Sequence, residues 1–314
     1  MFPKLKLRRS IIFGCSSLLV LPALSSAQDA PTAKPEIEVL GERQTEAEAR
    51  RDAHDYVRKT GIVRNDDPVA RWNAPICPKV IGLHDDYGRI VEDRVRGLAQ
   101  RVGVKAADAP CRTNIIISFV TDARATARRV ASRNPVTFNE VPQHARDALI
   151  NGDAPVRWWY STALGSSDGV SVAPQISGPE ALGAGSEQSG WLLGVPGVRG
   201  FRPSVVQTQI VRSLQSATVI VDINRAQGLP LDSVADYAAT VALAEVQPGD
   251  PPTDSLLALF ASGGSQAKLT DFDLSFLKGL YDIPASRAGW QQRRMLVARI
   301  IRDAGEAGRI IASP

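Results

Sequence analysis

The sequence predicts an α+β fold built as one domain, and three observations carry that expectation. Four short runs are strand-length and rich in β-branched or aromatic residues: Lys79–Leu83, Asn114–Val120, Val156–Ser161 and Ala217–Ile223. Helix-period stretches lie between and after them. One of these stretches, 232–246, is apolar on almost every side through Val234, Ala235, Ala238, Ala239, Val241, Ala242, Leu243 and Val246, the pattern of a buried core helix. No internal repeat is visible, and a chain of this length suits one α+β unit with an insertion and a tail.

The first 27 residues read as an export signal. Lys4, Lys6, Arg8 and Arg9 form a basic start, Ile11–Leu24 is apolar, and Ser25-Ser26-Ala27 supplies small residues for cleavage before Gln28. The apolar run is shorter than the roughly 20 residues of a spanning helix and contains Pro22. The expected compartment is the periplasm, or secretion beyond it, in a Gram-negative envelope. Of the 37 Lys and Arg, four lie before residue 28, leaving 33 to balance 33 Asp and Glu. The high pI therefore belongs to the leader, and nucleic acid is not an expected partner. Cys77 and Cys111 remain as an even pair, expected to form one disulfide in an oxidising compartment.

Residues 28–61 are expected to hold a polar, Pro-containing leader and a helix over Thr45–Lys59, with Thr45 as cap, Glu48 completing a capping box and Gly61 beyond the end. The main domain is expected over 62–284. Its first strand, Lys79–Leu83, is followed by a helix over Tyr87–Val102; Asn114–Val120 reads as a strand apolar enough for burial on both faces. Helices are expected over Asp122–Ala131 and Gln143–Ile150, before the aromatic strand Val156–Ser161. Residues 162–200 contain nine Gly and few periodic apolar runs, and read as a long extended insertion. Ser204–Arg212 and Ala217–Ile223 read as two strands leading into the apolar helix. The end of the chain, 285–314, reads as a basic amphipathic helix with Leu296, Val297, Ile300 and Ile301 as its stripe. Packing on the acid-rich domain is favoured for it over contact with an anionic membrane.

The order over 219–281 is a β-run, a loop, the apolar helix, Ser255-Leu256-Leu257, and a last segment Leu269-Thr270-Asp271-Phe272-Asp273 leading into a helix with Leu280-Tyr281. This order resembles the metzincin layout, in which HExxHxxGxxH lies on a helix, S-I-M marks the Met-turn and an L-T/S-x-x-D helix ending in Leu-Tyr closes the domain. The resemblance covers about 60 residues and implies a zincin-like domain with a mixed sheet. It also implies a ligand helix that holds Ala235, Asp236, Ala239, Ala242 and Glu245 where His, Glu, His, Gly and His would stand. Leu257 takes the Met-turn position. Zinc needs about four nitrogen, sulfur or oxygen donors; two alanine methyls supply none, and Asp236 would have no metal-activated water to deprotonate. The expectation is a non-catalytic protein without cofactor or metal, whose old substrate groove persists as a cleft for a peptide or an envelope protein. Asp236 and Glu245 would then be polar remnants on its floor.

Other groups qualify as candidates. Trp158 and Trp159 are adjacent on a strand and point to opposite faces, so at least one belongs to the core while the other is free to line a groove. His84-Asp85-Asp86 is the densest cluster of ligand types; its position before a helix favours capping, with an acid–base or metal role as the alternative. A divergent hydrolase using His84, Asp85 and Asp86, or Asp236 and Glu245, is the rival to the binding reading. Gly165-Ser166-Ser167-Asp168-Gly169 matches G-x-S-x-G, but no helix pattern follows and no His lies beyond His144, so a hairpin turn is the expectation.

Overall fold

In the computed structural model the described residues are 44–64, 66–166, 208, 210–261 and 267–311. Residues 1–27, expected to be an export signal, most of the glycine-rich segment 162–200, and Ser167 to Gly169 of the G-x-S-x-G match lie outside them.

Thr45 caps α1 (Glu46–Lys59), and its hydroxyl and the Glu48 carboxylate exchange bonds with each other's backbone N–H, completing the expected capping box. A two-residue strand β1 (Gln44–Thr45) precedes the helix. β2 (Pro78–Ile81) leads to α2 (Asp85–Arg101), then β3 (Ile115–Val120) to α3 (Ala123–Arg133) and α4 (Gln143–Asn151). β4 (Val156–Ser166) and β5 (Ile210–Asp222) follow, then α5 (Leu231–Leu243), α6 (Asp271–Asp282), α7 (Gly289–Glu306) and β6 (Ile310–Ile311). The main sheet has the order β2-β3-β5-β4; the first three strands are parallel and β4 closes one edge antiparallel. The fold is thus α+β with seven helices and a mixed four-stranded sheet among the described residues.

Alternation along the strands decides which helices cover which face. Val80, Ile115, Ile117, Val219, Val221, Trp158 and Tyr160 join the larger core with residues of α2 and α5. Trp159 and Ile220 point the other way, into a smaller cluster with Ala123, Phe138 and Leu149 beneath α3 and α4. Ala53, Tyr56 and Val57 of α1 and Leu296, Val297 and Ile300 of α7 belong to the larger core, so both terminal helices pack with the residues between them. Among the described residues no helix is long and apolar enough to cross a membrane. Cys77 and Cys111 are joined, with their Cα atoms 6.0 Å apart. Gly82 has φ +88°, and a Cβ there would stand 2.0 Å from the Phe119 carbonyl oxygen, so only glycine lets β2 turn away this close to β3.

Four expectations need correction. Residues 204–207 and 209 of the two strands expected over 204–223 lie outside the described residues, and from Ile210 there is one strand without a break: Ser216 pairs with Ser161 and Leu214 with Thr162, so Gln215 is an extra residue in a bulge. The helix expected over 232–246 stops at Leu243, because Ala244 is extended and Glu245 follows outside the helix. Ile116 in β3 is 39% exposed, so that strand is not buried along both faces. The cap of α2 is His84 and makes no side-chain cap bond; Asp85 and Asp86 instead complement the dipole from inside the first turn.

Candidate functional site

Helix α5 buries ten of its thirteen residues, with Ala235 and Ala239 fully inaccessible. Its small side chains suit packing between the sheet and α2. Asp236 lies on the side facing α2, where Arg94 reaches both of its carboxylate oxygens at 3.2 Å and also pairs with Asp232 at 2.6 Å. Burial raises the Asp236 carboxyl above the ordinary aspartate range, and the Arg94 charge partly offsets this.

The C-terminal end of α5 is inside the protein, where its last carbonyls need donors. Aromatic side chains supply them. The Tyr160 hydroxyl shares its one proton between the carbonyls of Val241 (2.6 Å) and Ala244 (2.8 Å), the Trp72 indole donates to Ala242 (2.9 Å), and the Tyr281 hydroxyl donates to Leu243. The Trp158 indole donates to Val246 just beyond, at 2.8 Å. Burial pushes the Tyr160 phenol well above its ordinary range, with the Glu245 charge acting in the same sense, so it stays a donor.

Glu245 is 1% exposed. Arg212 of β5 takes both its oxygens, at 2.8 and 2.9 Å, and Arg64 adds a third contact at 2.9 Å. Trp158, Trp159 and Glu245 all border one cavity of about 20 Å³, together with Arg64, Glu140 and Tyr160. That volume holds about one water molecule. The buried Arg64 Nε and Glu140 Oε2 have no protein partner and belong to residues on its wall, so one water there would have polar neighbours. Asp236 is not among the lining residues. Both indoles are buried, Trp159 is packed on Phe138 with ring centres 4.8 Å apart, and the space between these residues is far smaller than a peptide.

These residues do not fit zinc. Ala235 and Ala239 contribute packed methyl groups, and both oxygens of Glu245 already bind guanidinium. His54 and His144 are exposed, and His84 is exposed beside Asp86 at 3.5 Å. Among the described residues no group of three His, Cys, Asp or Glu is arranged to hold a metal ion.

A second and larger cavity, about 340 Å³, opens where β3 and β5 end and β4 begins. Its wall is Thr121, Asp122, Arg124, Arg157, Asp222, Asn224 and Arg225. Asp222 is buried and accepts the backbone N–H groups of Ala123 (3.0 Å) and Asn224 (3.1 Å), while Asp122 caps α3 through the Ala125 N–H at 2.8 Å. Arg157 is 2% exposed and donates to the carbonyls of Leu149 (Nε, 2.9 Å), Gly152 and Ala154. Burial, and then the charges of Arg124 and Arg225, lower its affinity for its proton relative to a free guanidinium.

Comparison with protein families, curated proteins and solved structures finds no match.

Sequence reasoning missed this second site. Its residues come from three separate stretches, each with an ordinary local reading. The one available signal was Arg157, a lone charge inside the aromatic run VRWWYS, on the strand face it shares with Trp159.

Proposed function

We propose that this chain is an exported, non-catalytic protein with a zincin-like core, acting by binding in the periplasm or at the envelope. The observation that carries the reading is the closure of the α5 end: Glu245 is held by Arg212 and Arg64, and the last helical carbonyls are taken by Tyr160, Trp72 and Tyr281. A working metalloprotease needs an open coordination position and a groove at this place. Here the same place is core.

The likeness to the zincin layout is supported by the sequence of elements. β5 enters α5, a buried 3-10 turn follows at Leu256–Ala258, and α6 comes next. Asp273 of α6 is fully buried and accepts from Ser255 Oγ (2.5 Å), the Leu256 N–H (2.9 Å) and the Tyr56 hydroxyl (2.6 Å). The L-T-x-x-D segment is thus fastened to the turn that stands where the Met-turn would.

The test uses protein recovered from a periplasmic extract. Intact mass should show a chain beginning at Gln28. Metal analysis should find zinc far below one ion per chain, and a chelator should leave Tm unchanged, since a structural zinc would contribute to folding. One zinc per chain accompanied by a peptidase activity that Asp236→Asn or Glu245→Gln abolishes would replace this reading with the hydrolase alternative.

A further inference from the structure

We propose that the cavity at the carboxyl ends of β3 and β5 binds a small molecule through a phosphate or carboxylate group, with Arg124, Arg157 and Arg225 as its receptors. The proposal supplies a ligand class for the binding role above. It draws on a different part of the molecule from the zincin likeness.

The charges in the wall do not pair off. Asp222 is engaged by backbone N–H groups, and Asp122 by the first turn of α3. Arg157 is buried and its hydrogen-bond partners are three carbonyl oxygens, while Asp222 and Asp122 act on it only as nearby charges. A guanidinium has five donors, so three carbonyls leave part of its donor capacity unused. Arg124 and Arg225 share one carboxylate, that of Asp153, which is 74% exposed. Asp153 stands outside the lining residues and occupies both outer arginines the way a ligand anion would.

The three arginines are also held in place. The turn between α4 and β4 offers its carbonyls in succession: Gly152 accepts from Arg124 and Arg157, Asp153 from Arg225, and Ala154 from Arg157. Pro155 accepts the Asp222 N–H at 2.9 Å and ties the turn to the end of β5. A Cβ at Gly152 would stand 2.4 Å from the Ala148 carbonyl oxygen, so the turn needs glycine to fold back this far. Guanidinium forks fixed by backbone carbonyls lose little freedom when an oxyanion arrives, and their planar geometry matches phosphate and carboxylate oxygens. The carboxyl end of parallel strands is the usual mouth for ligands in open sheets of this kind. A volume of about 340 Å³ sits at the small end of ligand pockets and suits a metabolite-sized anion over a polymer.

The probes are inorganic phosphate and citrate, titrated calorimetrically at low ionic strength against the full exported chain. At least one should bind with a Kd below about 1 mM, and the stronger of the two separates a phosphate site from a carboxylate site. Arg124→Gln combined with Arg225→Gln, both at partly exposed positions where folding tolerates change, should weaken binding about tenfold or more, the loss of charge-assisted contacts. Asp153→Asn should do the reverse and tighten binding, because it frees the outer arginines from their internal anion. That gain is not expected of a merely structural ion pair. Failure of both probes to bind with a Kd below about 1 mM, unchanged affinity in the double variant, or unchanged or weaker affinity in Asp153→Asn would overturn the proposal. None of these results bears on the metal and peptidase measurements that test the non-catalytic reading.

Discussion

At the end of α5 and at the ends of β3 and β5 the protein buries the same kinds of side chain and arranges them in opposite ways. Around Glu245 two arginines converge on one carboxylate, and aromatic donors take the helix carbonyls, leaving a space of about 20 Å³. Around Arg157 the arginines outnumber the carboxylates free to meet them, and the space is about 340 Å³. A closed ion-pair cluster inside a fold costs desolvation and returns it through geometry, so it acts as a fixed part of the core. An open cluster with a buried, carbonyl-held cation keeps its charge available. The position that the proposed zincin-like reading singles out is thus the closed one of the two, and the position without a motif is the open one.

The comparison is broken most easily at Glu245. Glu245→Gln leaves Arg212, 11% exposed, without its charge partner, and a loss of about 3–5 kcal/mol in urea unfolding is expected for removal of one member of a buried pair. A loss under about 1 kcal/mol would place Glu245 with ordinary surface charges and remove the contrast. Next in size is Tyr160→Phe, which takes the hydroxyl from the Val241 and Ala244 carbonyls and should cost about 1–3 kcal/mol by the same measurement. The open cluster should respond differently. Arg225→Gln, at a partly exposed position, should change stability by less than about 1 kcal/mol while altering anion affinity, which unfolding and calorimetry on one preparation would separate.

The smallest effect is expected at Asp236, and its sign is informative. Burial raises this carboxyl above its ordinary value of 3.8, so the folded chain holds the proton more tightly than the unfolded chain. Its contribution favours folding below the ordinary aspartate value and is lost as pH rises through the raised folded value. Asp236→Asn should flatten that decline in a stability profile across mildly acidic pH and leave Arg94 paired with Asp232. A steeper decline in the variant would mean that the Arg94 attraction outweighs burial at this position.

Local patterns made much of the framework legible. The Thr45 to Glu48 capping box, the stripe of Leu296, Val297 and Ile300, the all-round apolarity of α5 and the opposite facing of Trp158 and Trp159 depend on residues a few positions apart, within reach of helix and strand periodicity. The disulfide was expected from two cysteines read together with an export signal. Candidate residues were legible singly: Trp158, Trp159 and Glu245 border one cavity, though no local rule could give its size. Asp236 does not join them, because one turn of helix carries it toward α2 and Arg94.

By itself, then, the sequence determined the α+β class, most of the helices and strands, and the buried, alanine-rich character of α5. Tertiary structure alone decided which charges meet. Arg212 lies 33 residues from Glu245, Trp72 lies 170 from Ala242, and Arg225 lies 72 from Asp153. Nothing in periodicity or spacing links such residues, because their pairing follows from strand order and from which face of the sheet each helix covers. The bulge at Gln215, the aromatic caps on α5 and the three arginines held by one turn arise in the same way. A polar group reads alike in sequence whether it is exposed, paired or left with a carbonyl, and only packing sets the desolvation that separates those cases.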